Sequence, residues 1–327
     1  EKPDLIFCGP FVEHSGKNRT HWDADIPRVY FTGESQQFGE TPYTDKSIKL
    51  FLTFNLREDE RNIRLPLWVL YLDWFGKISG CAATATATEQ GATAASAAKY
   101  TQFKRNPGIT PIKFATDMHP IGFQERSEFC SWVVSNPYSH IRNLFFKKAS
   151  EYKKVNSGGA LYNNIGGPIE SQERAGASGD AAKLEFLQKH RFNICFENFS
   201  ESGYVTEKLL QAKLAGCVPL YWGCENARID FNPDSFVNLT NMNIVQMMKL
   251  LKDLDKNEEV ASKIARTPPL TNEDIECWRC IFRKIVNKCI LLMNKKTHIQ
   301  LKIDSPKMDS PILVSYIDST VADTYFK

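Results

Sequence analysis

No apolar run in this 327-residue chain reaches the roughly 18 residues that a membrane-spanning helix needs. The first residues also lack the basic-then-apolar pattern of a signal peptide. Charge of one sign is scarce: 41 Lys and Arg against 38 Asp and Glu leave +3. That is too little to argue for nucleic acid as a partner, although it leaves room for a local basic cleft around a phosphate ligand. Glu1 stands where an initiating Met would, so the chain is expected to be a processed or incomplete product. A second cysteine pair is missing as well. Cys277-Trp278-Arg279-Cys280 is a CxxC on its own, with His298 the only histidine nearby. A zinc site wants more ligands than that, so the expectation is free thiols on one helix and no metal, with a disulfide as the alternative in an oxidising compartment. The nine cysteines are an odd number scattered through the chain, which is too long for a small disulfide scaffold.

What is present fits a soluble globular protein of two ordinary domains, with 42% hydrophobic and 24% charged residues. Asp4 to Cys8 and Arg28 to Phe31 read as short buried strands ended by turn residues. Ser47 to Leu56 alternates as a strand, placing Ile48, Leu50, Leu52, Phe54 and Leu56 on one face. Arg64 to Phe75 is ambiguous. Cys81 to Ala98 is almost entirely Ala, Thr, Gly and Ser and is expected to be a linker or lid. Beyond Gly122, a strand at Phe129–Val134 precedes a helix at Ile141–Tyr152. A helix at Lys183–His190 precedes a strand at Phe192–Phe196. A helix at Thr206–Ala215, closed by Gly216, precedes a strand at Val218–Trp222. This alternation predicts a parallel sheet with helices on both faces. Met242 to Val286 is amphipathic and helical, broken at Pro268-Pro269.

The chemistry concentrates in the run from Phe192 to Lys208, which reads as strand, polar loop and helix start. Thr206 is the expected N-cap, and Glu207 suits the positive end of the helix dipole. Free N–H groups at a helix start together with the Lys208 ammonium make a diphosphate site beyond the carboxyl end of a strand. The alternative is a capped surface helix with a solvated Glu-Lys pair. Arg142, in the first turn after the Phe129 strand, could pair with phosphate in a bidentate way, or be an ordinary exposed helix arginine. Ser157-Gly158-Gly159 with Asn163-Asn164 could offer backbone N–H groups, or form only a turn. Glu34 follows the Arg28 strand in the other half and could act as a general base; otherwise it is a solvated turn glutamate. Asp23-Ala24-Asp25 is a DxD in the half away from these residues and reads as a loop.

Phe196-Glu197-Asn198, Tyr204-Val205-Thr206-Glu207-Lys208 and Gly216-Cys217-Val218-Pro219-Leu220-Tyr221-Trp222-Gly223 resemble the signature of glycosyltransferase family ten, the α1,3/4-fucosyltransferases. Phe129 to Pro137, Arg142-Asn143, Asn156 to Gly159 and Asn232-Pro233 resemble its bacterial members. Arg28 to Glu34 is similar to the segment holding that family's proposed base. The resemblance runs loosely from Asp4 to Asn241. It departs at Phe199-Ser200, where the family pattern often reads Phe-Glu-Asn-Ser, and in the Ala/Thr-rich stretch, which matches no family motif.

The resemblance implies an α/β fold of GT-B type, with two facing Rossmann-like domains. The expected division is an acceptor-side domain over residues 1–123 with a truncated N-terminus, a donor domain over 124–290 and a tail over 291–327. It implies inverting transfer of L-fucose from GDP-fucose to the 3-hydroxyl of GlcNAc or Glc in lactosamine-type, Lewis-antigen glycans. The catalytic residues would be Glu34 as base and Glu207 beside the positively charged sugar ring. Arg142, Ser157, Gly158, Asn198, Tyr204, Glu207 and Lys208 would hold the donor. No cofactor or metal is expected beyond GDP-fucose as substrate. A GDP-sugar binder without turnover, or a GT-B transferase using another nucleotide sugar, is the alternative. Asn198-Phe199-Ser200 is a glycosylation sequon inside the proposed donor pocket, where a glycan would block binding. The expected location is therefore the cytoplasm, with peripheral membrane contact, and the Golgi lumen is the alternative if an N-terminal anchor was removed.

Overall fold

The computed structural model describes residues 3–10, 25–35, 40–76, 109–118, 123–169 and 177–293. The Ala/Thr-rich stretch, Asp23-Ala24 and the tail with His298 lie outside the described residues. The first sheet contains β1 (Ile6–Cys8), β2 (Arg28–Thr32), β3 (Ile48–Thr53) and β4 (Asn62–Arg64), all parallel and in that order. A 3-10 turn at Leu67–Tyr71 resolves the ambiguous segment and leads to β5 (Leu72–Asp73). β5 pairs with β6 (Thr110–Pro111), which is followed by the short α1 (Lys113–Thr116).

The second sheet is built from β7 (Glu128–Trp132), α2 (His140–Tyr152), β8 (Val155–Ser157), α3 (Ala177–Leu187), β9 (His190–Ile194), α4 (Glu207–Leu214), β10 (Val218–Tyr221) and β11 (Val237–Asn238). Its five strands are parallel in the order β11-β10-β9-β7-β8. α5 (Ile244–Lys256), α6 (Glu258–Arg266) and α7 (Asn272–Met293) complete the described chain. The helical stretch thus breaks at Asn257 as well as at the proline pair. Asn257 ends α5 and its side chain accepts the N–H of Val260 to start α6.

Parallel sheets are covered on both faces, and this overrides the one-sided alternation expected for β3. Phe51, on the face expected to be exposed, is as buried as Leu50, while Leu56 is 40% exposed beyond the strand's end. His190, expected to close a helix, opens β9. Its imidazole is buried between the Phe186 carbonyl and the Asn156 amide. β8 is a strand that the polar residues around Asn156 concealed. Gly216 does end α4 with φ +70°, in the left-handed region where glycine is favoured.

One of the apolar clusters among the described residues joins the two sheets. Val29, Leu50 and Leu52 of the first sheet join Trp68 and Trp74, Leu209 and Leu210 of α4, and Trp278 of α7. Trp68 meets Trp278 edge-on at 5.4 Å and Phe231 at 4.5 Å. α7, which the sequence groups with the second half, therefore packs on Trp68 and Trp74 of the first, and the Arg279 guanidinium donates to the Trp74 carbonyl at 2.8 Å. Cys277 and Cys280 are free thiols on this helix.

Candidate active site

The carboxyl ends of β2, β7 and β9 carry the side chains of interest, where open α/β sheets place their ligands. Glu34 stands two residues past β2. Its position is set locally: the Glu34 N–H donates to Thr32 Oγ1 at 3.2 Å, and a side chain on Gly33 would stand 2.8 Å from Leu67 Cβ. Burial raises the Glu34 carboxyl above the ordinary glutamate range. Lys208 opposes that rise, while Glu207 and Glu197 add to it. A solvated turn glutamate would not feel these charges from the second sheet, so Glu34 lies within electrostatic reach of the helix start in the other half.

That helix start is organised differently from the capped helix expected. Thr206 occupies the N-cap position in extended conformation, but its side chain makes no capping bond. The Thr206 hydroxyl and N–H both donate instead to Glu197, at 2.7 Å each. Glu197 ends the apolar run of β9 and is fully buried. Lys208 Nζ donates to Glu197 Oε2 at 3.1 Å and to Thr206 Oγ1 at 2.9 Å. The Lys208 side chain is thus 18% exposed and its ammonium paired, not a free surface cation. Burial alone would lower its pKa, but Glu197 and then Glu207 hold it well above the ordinary lysine range. Glu207 lies 3.9 Å from both Lys208 and Lys183. Burial pushes its carboxyl up, but the two ammonium groups outweigh that and bring it below the usual range.

Arg142 is buried, at 1% exposure, so the exposed-arginine alternative falls away. Its Nη1 donates to Asn198 Oδ1 and its Nη2 to the Asn136 carbonyl, both at 2.6 Å, while Nε is buried without a partner. Burial lowers its pKa to about 10, with Glu197 and Tyr204 opposing, so it stays charged at neutral pH. Tyr204 is buried against Phe54 at 5.3 Å, which ties the signature loop to β3. Glu34, Arg142, Asn198, Tyr204, Glu207 and Lys208 are therefore one neighbourhood.

Ser157 and Gly158 differ from expectation, because their backbone donors are committed inside the protein. Ser157 N–H donates to Asn164 Oδ1 and Gly158 N–H to the Trp132 carbonyl, at 2.8 Å each. The Ser157 hydroxyl donates to the Leu161 carbonyl, and Asn163 Nδ2 donates to the carbonyls of Ser157 and Gly159. These groups shape the loop instead of facing outward. Glu197 and Lys183 were not singled out from sequence. A lone acid closing the apolar run Ile194-Cys195-Phe196 was the available signal for Glu197.

Among the described residues, no group of three or more His, Cys, Asp or Glu could hold a metal ion, and no helix is long and apolar enough to cross a membrane.

The family model described as "Glycosyltransferase family 10 (fucosyltransferase) C-term" matches residues 123–264. The chain is 33% identical over 162 residues to an alpha-(1,3)-fucosyltransferase of Helicobacter pylori, covering 48% of this chain and 32% of that enzyme. It is 27% identical over 166 residues to 4-galactosyl-N-acetylglucosaminide 3-alpha-L-fucosyltransferase 9 of Mus musculus, covering 48% of this chain and 43% of that protein. The aligned part thus spans less than half the length of these relatives. A crystal structure of an alpha1,3-fucosyltransferase with GDP-fucose superposes with TM-score 0.59 at 22% identity, over 91% of this chain and 80% of that one. The fold is of the GT-B type, and residues 123–264 match the C-terminal domain of glycosyltransferase family 10, the fucosyltransferases.

Proposed function

We propose that the protein is an α1,3-fucosyltransferase that moves L-fucose from GDP-fucose, with inversion, to the 3-hydroxyl of GlcNAc or Glc in a lactosamine-type glycan. The observation that carries this reading is that a half-buried glutamate from the first sheet, Glu34, lies within electrostatic reach of the Glu207-Lys208 helix start of the second. A transferase of this kind needs a base for the acceptor hydroxyl opposite a cationic pocket for the departing nucleotide. The raised carboxyl of Glu34 suits the first task, since a base works best when its pKa approaches the working pH. Lys208 and Arg142 supply fixed positive charge for the leaving diphosphate. Glu207 stays ionised and can face the oxocarbenium-like sugar of the transition state. Asn198 and Tyr204 complete the donor pocket. Ser157 and Gly158 shape its wall through the loop they hold, rather than through direct contact.

The test is a transfer assay with GDP-fucose and a panel of lactosamine acceptors. Fucosylated product and equimolar GDP are expected. GDP binding without turnover on any acceptor would make the protein a binder, and competition by UDP in place of GDP would make it a transferase for another donor.

A further inference from the structure

The reaction proposed above gives Glu197 no part, yet Glu197 is the most committed charge in the site. It is fully buried, and a carboxylate there persists only if its charge and lone pairs are satisfied. Three donors do so. Oε1 accepts the Thr206 N–H at 2.7 Å, and Oε2 accepts the Thr206 hydroxyl at 2.7 Å and the Lys208 ammonium at 3.1 Å. Thr206 Oγ1 in turn accepts from Lys208 Nζ at 2.9 Å, so carboxylate, hydroxyl and ammonium close a triangle. Two of its corners, Thr206 and Lys208, stand at the start of α4, and the third, Glu197, stands three residues past the end of β9. The backbone reinforces this. The Glu197 N–H donates to the Trp222 carbonyl at 2.8 Å, and a Cβ on Gly223 would stand 2.5 Å from Glu197 Cγ. The side chain has one place to be.

We infer that Glu197 is a positioning residue, which fixes the Lys208 ammonium and the Thr206–Lys208 turn so that they meet the diphosphate of the donor without themselves being rearranged by it. Glu197 touches no substrate in this assignment; it acts through Lys208. The inference rests on the reading of Lys208 as a donor-binding residue. One physical consequence follows directly. Lys208 reaches the nucleotide as a cation already held by a buried anion, and its removal strands that anion.

The experiment is calorimetry with GDP, run beside thermal unfolding, on the wild type, Glu197→Gln, Lys208→Met and the double variant. Gln at 197 keeps an acceptor for the Thr206 N–H but loses the charge, and its amide N–H opposes the ammonium. GDP affinity is expected to fall about ten- to a hundredfold in Glu197→Gln, the range for a charge-assisted hydrogen bond. In the Lys208→Met background the same substitution should change GDP affinity no further, because the group it positions is gone. The double variant should also melt above Lys208→Met, since no carboxylate is left stranded. Should Glu197→Gln not fold, Glu197→Asp keeps the charge, shortens the reach and is expected to weaken GDP binding likewise. The inference is overturned if Glu197→Gln or Glu197→Asp melts lower but binds GDP as the wild type does. It is overturned equally if Glu197→Gln costs the same factor in both backgrounds. Wild-type protein that does not bind GDP would instead remove the donor-site reading on which the inference stands.

Discussion

Arg64 at the end of β4 holds Asp230 of the second sheet's domain in a bidentate pair, Nη1 to Oδ1 at 2.6 Å and Nη2 to Oδ2 at 2.7 Å. The same guanidinium donates to the carbonyls of Phe54 and Gly203 at 3.1 Å each, so one side chain ties β3, β4 and the loop before Tyr204 together. Asp230 is completely buried. Burial raises its carboxyl above the ordinary range, with Arg64 opposing that rise. Arg64→Met should therefore destabilise the protein by about 3–5 kcal/mol in denaturant unfolding at neutral pH. The sign with pH follows from Asp230: without Arg64 its pKa rises further, the acid takes a proton as pH falls, and the penalty shrinks. A loss that is the same at neutral and acidic pH would mean Asp230 is not the group left uncompensated.

Glu34→Gln should preserve the fold and donor binding while lowering turnover. Gln is close to isosteric and cannot accept the proton, and general-base catalysis contributes about 10²–10⁴-fold. The proposed donor residues lie on the second sheet, so GDP-fucose affinity should move far less. Near-normal turnover would return Glu34 to an ordinary turn residue. Donor binding lost as strongly as turnover would place Glu34 on the sugar nucleotide.

The pH profile carries an independent sign. The base must be ionised to work, and burial followed by the neighbouring Glu207 and Glu197 raises its pKa despite Lys208. The acidic limb of kcat/KM should thus lie above the ordinary glutamate range, with activity falling as pH drops through it. That limb should vanish from the residual activity of Glu34→Gln. An acidic limb unchanged in the variant would assign it to another group.

Transfer should survive exhaustive chelation. Lys208 and Arg142 already place fixed positive charge around the proposed diphosphate position, and Arg142 remains charged with its pKa at about 10. Activity measured after prolonged treatment with a chelator is expected to match the untreated enzyme. Complete loss, restored by manganese, would show that the two cations are not sufficient.

The strands and helices around the site were legible because each apolar run ends in turn residues: β2 before Gly33, β9 before Glu197 and Asn198, and β10 before Gly223. What could not be read was who pairs with whom. Arg142 reaches Asn198 across 56 positions and Arg64 reaches Asp230 across 166, and neither spacing follows any local period. Ser157 and Gly158 illustrate the converse. Gly-Gly beside Asn-Asn offers free amides in sequence, but the Trp132 carbonyl of β7 takes the Gly158 N–H and the Asn164 side chain takes the Ser157 N–H once the chain folds. Thr206 shows how tertiary structure overrides local capping: its hydroxyl donates to the buried Glu197 carboxylate, and its oxygen accepts from the charged Lys208 ammonium in place of the first-turn N–H groups.

Gly223 provides the last prediction, because it bears on the proposed donor residue Lys208 through Glu197. It has φ +157°, at the edge of the region that side chains rarely adopt. A Cβ there would also stand 2.5 Å from Glu197 Cγ, 2.8 Å from its Cβ and 3.0 Å from the Tyr221 hydroxyl. None of these neighbours can withdraw cheaply, since Glu197 is buried and bonded to Thr206 and Lys208, and Tyr221 accepts the Cys224 N–H at 3.1 Å. Overpacking of this kind costs about 1–3 kcal/mol. Gly223→Ala should therefore lower the melting temperature. It should also weaken GDP binding, because the easiest relief moves the Glu197 carboxylate and with it the Lys208 ammonium. Gly76 supplies the control: it has φ +66° with nothing within 4 Å of an added Cβ, so Gly76→Ala strains the backbone without crowding the site. GDP affinity reduced in Gly223→Ala and unchanged in Gly76→Ala is the expected pair of results. Equal affinities in both variants would mean that the crowding at Gly223 is absorbed elsewhere and does not reach Lys208.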